Sequence, residues 1–335
     1  MTLIVGLRGI GKSYLAADSR ATIKQTGETR DDATKWQAIG KQAVVVAAGD
    51  AQLAAYICDQ IISGFKDPDT TSFNEVKMKF EQELKELAIK FNKDTNRFCH
   101  CTLMLAGYDK TQKEDVDAAV LGEIMSADIV ANSGGRAVNQ SIDPEIIKAM
   151  STRLATAQLQ NKPLGRGDRV TINRPKSELR AYYVDVSAGG VNIKQTAADT
   201  FDALIFGADT AVNKLELPKE IISNIYFRNM SGQTAKEIIT GDGIYLIAFI
   251  KSAIDQRGYK EVGGNVIPLL ITPDFNAVGS GQVAKLNLIT KEVEIVGDIE
   301  VKDGRLHYKD IDGEYKPFLR FREFLGKSKG QLADY

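Results

Sequence analysis

The sequence predicts a layered α+β domain, with antiparallel strands gathered into sheets and helices packed outside them. Strand-length apolar runs come in pairs around Gly-rich turns, without the strict strand-helix alternation of a doubly wound sheet. Residues 43–48, Ala-Val-Val-Val-Ala-Ala, form a fully apolar run of strand length that ends at Gly49-Asp50. Two helices with clear start signals follow directly.

In chain order, 2–5 and 14–17 read as strands joined by a tight Gly-rich turn. Asp50 caps a helix through Ile62. Ser72 and Glu75 form a capping box, and Phe73, Val76, Phe80, Leu84, Leu87 and Phe91 then recur at helical steps above a Lys/Glu face. Strands are expected over 101–106, 118–124 and 129–131. Asp143-Pro144 opens a helix with proline at its first position, where the missing N–H costs nothing. The stretch 161–178, rich in Arg, Lys, Gly and Pro, reads as a polar loop. Strands resume at 180–185, 190–193 and 201–206. Thr234 and Glu237 open a helix to about Asp255, which must absorb Gly241 and Gly243 at about 1 kcal/mol each. An apolar strand at 266–271 precedes hairpin-like pieces with turns at Asp303-Gly304 and Asp312-Gly313, and then a charged tail.

Composition narrows the function. The 335 residues carry 43 Lys+Arg against 44 Asp+Glu, so no charge excess favours nucleic acid or an anionic membrane. Three cysteines make no disulfide framework, and no apolar stretch reaches bilayer length. A soluble cytoplasmic protein is the expectation. Only His100 and His307 exist, which leaves little room for histidine-based nucleophilic catalysis. Cys99-His100-Cys101 is a poor metal motif, because adjacent strand residues point to alternate sides; a small buried strand trio is expected there.

The opening segment supports two unrelated chemistries. Gly6 to Ser13 fits G-x-x-x-x-G-K-[ST], a phosphate loop with Lys12 as its lysine and Ser13 as its metal-binding hydroxyl. That reading needs a helix after Ser13 and a magnesium-binding acid at a strand end. Asp50 and Asp209 are the nearest acids, but Gly49 and Ala208 intervene. The bland alternative is a hairpin turn, Gly9-Ile10-Gly11-Lys12. The second chemistry starts from Thr2. Removal of Met1 by methionine aminopeptidase would leave a threonine whose α-amine, of intrinsic pKa near 8, can take its own hydroxyl's proton. Lys35 would lower that pKa further, Asp18 would hold Lys35 and the N-terminus, and the Gly49 N–H at a strand-to-helix junction could stabilise an oxyanion.

Residues 2–6 with 15–22, Thr-Leu-Ile-Val-Gly…Leu-Ala-Ala-Asp-Ser-Arg-Ala-Thr, resemble the start of mature proteasome β-type subunits, which are N-terminal nucleophile (Ntn) hydrolases. Lys35 falls where that family's catalytic lysine stands, allowing a one-residue insertion. Ala47-Ala48-Gly49-Asp50-Ala51 resembles the family's oxyanion segment. The blocks 101–109, 182–190 and 256–266, the last with Gly263-Gly264, are similar to later family segments in the same order.

The resemblance implies a four-layer αββα sandwich of two antiparallel sheets over about residues 1–272, with an insertion at about 135–179 and a C-terminal extension over 273–335. It implies a threonine peptidase or amidohydrolase in which Thr2 attacks, Asp18 and Lys35 tune it, Gly49 serves the oxyanion and Arg20 supports the shell. No metal or organic cofactor is implied. The substrate class is peptide or unfolded protein. A ring-forming homo-oligomer is implied, and the resemblance leaves room for an ATPase unfoldase partner.

The chain also departs from the family. The serine of the G-S-G motif is missing, Ala208 standing in Phe206-Gly207-Ala208-Asp209, and Val262 replaces the serine of S-G-G. The aspartate expected three residues earlier falls on Tyr259, with Asp255 or Glu261 as stand-ins. Gly279-Ser280-Gly281 has the G-S-G letters but lies beyond the last matched block. A catalytically silent subunit of the same fold is therefore a third reading.

Overall fold

The computed structural model describes residues 2–18, 20–23, 26–30, 33, 35–40, 42–67, 70–122, 144–161, 164–165, 167–200, 203–207, 265–271, 281–286, 293–302, 305–309, 315–317 and 333–334. Two antiparallel sheets dominate. The larger has eight strands in the order β10-β1-β2-β11-β12-β13-β14-β15. Its centre is β1 (Leu3–Gly9) and β2 (Lys12–Asp18), flanked by β10 (Ala203–Gly207) and β11 (Asn265–Ile271). Beyond β11 it continues through β12 (Gly281–Leu286), β13 (Val293–Lys302), β14 (Arg305–Lys309) and β15 (Tyr315–Pro317). The second sheet has the order β5-β6-β7-β8-β9: Trp36–Ile39, Ala43–Gly49, Cys99–Asp117, Arg169–Ser187 and Gly190–Ala197. A small third sheet joins β3 (Ala21–Ile23) to β4 (Thr29–Arg30) and β16 (Ala333–Asp334).

The apolar run in β6 serves two layers at once. Val44, Val46 and Ala48, with Met104, Ala106, Leu179 and Ala181, face Ile4, Leu15 and Ala17 of the larger sheet. The alternate residues Ala43, Val45 and Ala47, with Leu103, Leu105, Tyr182 and Val184, pack against helices α1 (Ala51–Ser63) and α2 (Phe73–Thr95). A strand alternates its side chains between faces, so burial on both sides demands a run without polar residues. Helices, sheet and sheet thus form three successive layers of the expected sandwich. The helix predicted from Thr234 to about Asp255, which would supply the fourth, lies outside the described residues, as does the strand predicted over 129–131.

Both helix starts form as their sequences specify. The Asp50 side chain accepts the Leu53 N–H at 2.9 Å, and Ser72 and Glu75 close a reciprocal capping box. Pro144 opens helix α3 (Pro144–Leu159).

Two expectations need correction. The stretch 118–124 does not continue as strand: β7 ends at Asp117 and residues 118–122 are helical. There the Asp117 carboxylate accepts the Ala119 N–H at 2.8 Å and turns the chain, as an Asx cap does. The polar stretch 161–178 is not all loop, because β8 begins at Arg169. Val170 and Ile172 are buried while Arg169, Thr171 and Asn173 around them are exposed, a short alternation hidden by the surrounding charge. Pro175 sits opposite Lys113 where the β7–β8 register slips, the kind of irregularity that tolerates a residue lacking an N–H. Val170 and Ile172 join Ile10, Val116, Ala118, Leu121, Ile146 and Met150 in a separate small core that seats α3 beside the β1–β2 turn.

Among the described residues no helix is long and apolar enough to cross a membrane.

Candidate functional site

Thr2 stands immediately before β1, whose first residue pairs with Gly207 of β10. Thr2 is 1% exposed, and its buried hydroxyl finds no hydrogen-bond partner among the described residues. A hydroxyl of this kind normally satisfies itself somewhere, so a solitary one needs a functional or structural reason.

A buried charge pair stands at the neighbouring strand end. β2 pairs with β1 through Ile4↔Ala17, which leaves Asp18 beside Leu3 at the end of the ladder. Asp18 Oδ1 accepts the backbone N–H of Leu3 at 2.9 Å and the Lys35 ammonium at 2.8 Å. Both charged side chains are fully buried. Lys35 arrives from the other sheet: it precedes β5, and its carbonyl accepts the Ala47 N–H of β6 at 2.8 Å. One carboxylate oxygen therefore ties the backbone next to Thr2 to a cation carried by the opposite sheet. Burial strips both charges of water, a cost that the close pairing of ammonium and carboxylate offsets.

Gly49 closes β6 in the left-handed region at φ +95°. A Cβ there would meet the His100 carbonyl oxygen at 2.6 Å, so the position needs glycine. Ala47 and Gly49 are two residues apart, and strand pleating turns their N–H groups to the same edge. The edge that reaches Lys35 through Ala47 thus also carries the Gly49 N–H. Asp50 follows. Its own N–H bonds the His100 carbonyl at 2.8 Å, and its Oδ2 is ion-paired with Arg97 at 2.6 Å. Arg20 is half-buried, two residues beyond Asp18 on the way into β3.

The structure therefore gathers Thr2, Asp18 and Lys35, with Gly49 on the adjoining strand. It adds two residues that the sequence did not single out. Gly207, at φ +84°, lies so close that a Cβ on it would fall 1.8 Å from the Thr2 carbonyl oxygen and 3.4 Å from the Ala48 Cβ. It lies in the very segment aligned with G-S-G, so its glycine was the available signal. Arg97 carries no periodic or motif signal and follows the left-handed Asn96 cap of α2. The departures at Ala208, Asp255, Tyr259, Glu261 and Val262, the Gly263-Gly264 pair and Ser280 lie outside the described residues.

The phosphate-loop reading fails on geometry. Ser13 continues into β2, with no helix N-terminus to face a phosphate, and Gly9 pairs with Lys12 across the two-residue turn Ile10-Gly11. A Cβ on Gly6 would lie 2.5 Å from Met104 Sδ, so this glycine permits sheet-to-sheet contact. The Gly11 N–H, which would have to bind an anion, already donates to Glu114 at 3.1 Å. The Cys99-His100-Cys101 trio splits as a strand must: both cysteines are buried under α1 while His100 is exposed.

The family model described as proteasome subunit matches residues 2–157, just under half of the chain. That span holds Thr2, Asp18, Lys35 and Gly49. Over that span the chain is similar to proteasome subunits. Its two face-to-face antiparallel sheets with outer helices suit that similarity. A solved structure, Anbu (ancestral beta-subunit) from Yersinia bercovieri, matches with 16% identity and a TM-score of 0.40, covering 80% of this chain and 81% of that one. No curated protein sequence matches the proteasome-subunit-like chain.

Proposed function

We propose that this proteasome-subunit-like chain is a threonine peptidase or amidohydrolase of the Ntn type. The observation that carries the reading is Asp18 Oδ1 bridging the Lys35 ammonium and the Leu3 N–H beside a buried Thr2 hydroxyl that has no hydrogen-bond partner among the described residues. Once Met1 is removed, the Thr2 α-amine takes the hydroxyl proton as Oγ attacks a peptide carbonyl. The new C–O bond yields a tetrahedral oxyanion. The Gly49 N–H is the donor assigned to it, a contribution typically worth about 10²–10³ in rate. Collapse breaks the C–N bond, the ammonium returns its proton to the departing amine, and water then hydrolyses the threonyl ester. Lys35 favours the deprotonated nucleophile by its charge, Asp18 fixes Lys35, and Arg20 supports the same shell. None of these steps calls for histidine, metal or cofactor.

The substrate class is peptide or unfolded protein, and the working form is a homo-oligomeric ring in the cytoplasm, on the pattern of proteasome subunits. A silent subunit is the second reading, favoured by Ala208 and Val262 at the positions of the family's supporting serines.

Intact mass and a threonine-directed electrophile decide between them. The expected result is a chain lacking Met1 that gains one covalent adduct on Thr2, with adduct and peptidase turnover both lost in Thr2→Ala. Retained Met1, or turnover that survives Thr2→Ala, removes Thr2 as nucleophile. A processed chain that takes no adduct supports the silent subunit.

A further inference from the structure

Arg97 and Asp50 form an ion pair immediately behind Gly49, and the family resemblance assigns a role to neither. Arg97 Nη2 lies 2.6 Å from Asp50 Oδ2, and its other terminal nitrogen bonds the Gln52 side chain. Asp50 is nearly fully buried while Arg97 is 20% exposed. The other Asp50 oxygen, Oδ1, accepts the Leu53 N–H as the N-cap of α1. A buried carboxylate thus sits one residue from the N–H assigned to the oxyanion.

That placement creates an electrostatic conflict. An oxyanion developing at Gly49 benefits from the positive N-terminal end of α1, which starts at Ala51. A bare Asp50 carboxylate would cancel that benefit and repel the new negative charge across a short, poorly hydrated distance. The Arg97 guanidinium neutralises it. We infer that Arg97 is a positioning residue which, by pairing with Asp50, both holds the Gly49-Asp50 junction and keeps the oxyanion site free of uncompensated negative charge. The inference rests on the Thr2 reading proposed above.

A sign-specific experiment tests it: the rate of covalent labelling of Thr2 by an electrophile whose adduct carries an oxyanion, with thermal unfolding followed in parallel. Arg97→Gln should slow labelling about five- to tenfold, the size expected for one unit charge near the site. Asp50→Asn keeps a capping oxygen for Leu53 and should label at least as fast as the parent chain. The double variant should return to within about twofold of the parent, because the charge that Arg97 neutralised is gone. If both single variants slow labelling and the double is slower still, the pair is structural support only and the inference falls. It also falls if Arg97→Gln labels at the parent rate. Should Arg97→Gln not fold, the Asp50→Asn rate still decides the sign. If the parent chain itself takes no Thr2 adduct, the Thr2 reading fails first and takes this inference with it.

Discussion

At the scale of single residues, the site depends on one buried charge pair and one missing side chain. Removing one partner from a buried ion pair leaves the other charge stranded, which costs about 3–5 kcal/mol, whereas removing both can be nearly neutral. Lys35→Met should therefore lower unfolding stability by about that amount in urea titrations, because the buried Asp18 carboxylate loses the ammonium at 2.8 Å. Adding Asp18→Asn should restore much of the stability but none of the Thr2 labelling. Labelling that returns along with stability would show that the pair serves folding alone. Gly207→Ala makes a different demand. The methyl would overlap the Thr2 carbonyl at a positive φ that L side chains resist. Since a misplacement of about 1 Å can cost 10²-fold in rate, Gly207→Ala should cut labelling by about that factor while circular dichroism still reports a folded protein. Parent-like labelling would show that β10 yields without moving Thr2.

At the scale of elements, the β1–β2 hairpin is held at its far end by Glu114, a fully buried side chain of β7. Its carboxylate accepts from Arg8 at 3.1 Å, from the Gly11 N–H at 3.1 Å, and from the Ser177 N–H and hydroxyl at 2.6 and 2.7 Å. Glu114→Ala would take this acceptor from Arg8 and from the Gly11 and Ser177 N–H groups, while the Ser177 hydroxyl keeps the Gly9 carbonyl at 2.7 Å, so urea unfolding should show a loss of about 3–5 kcal/mol, concentrated in one site. A loss below about 1 kcal/mol would mean that these donors find replacements. The same hairpin shows what was legible in the sequence. Its strands, its turn and the two helix caps follow from local chemistry, and they formed as expected. Thr2, Asp18 and Lys35 were legible through the family resemblance, and Gly49 through its strand-to-helix junction. The start of β8 was not legible, because Val170 and Ile172 alone carry its alternation amid Arg, Asp and Lys. Glu114 and Arg97 were hidden for another reason: each acts through partners 40 or more positions away in sequence, and no local periodicity announces such contacts.

At the scale of the whole molecule, strand β6 of the five-stranded sheet is buried on both faces, so the layer beneath α1 and α2 should open only when the fold does. Three thiols report on that layer. Cys58 lies on α1, and Cys99 and Cys101 on β7, all within the helix-facing core. Burial pushes the Cys58 thiol up to about 12, helped by the negative charge of Asp59. Burial likewise raises Cys101 well above its usual value, with Cys58, Asp50 and Cys99 adding to the effect. Thiol reagents attack the thiolate, so a raised value leaves almost none of the reactive form at pH 8, and the packed layer bars the reagent as well. In the folded protein maleimide should consume essentially no thiol at pH 8, and in rising urea its uptake should track the loss of helical signal. Coincident curves would mean that the helix layer and the sheets unfold as one unit, which the shared strand β6 requires. Thiol uptake well before the helical signal falls would mean that α1 lifts away while the Thr2 site on the other face stays assembled.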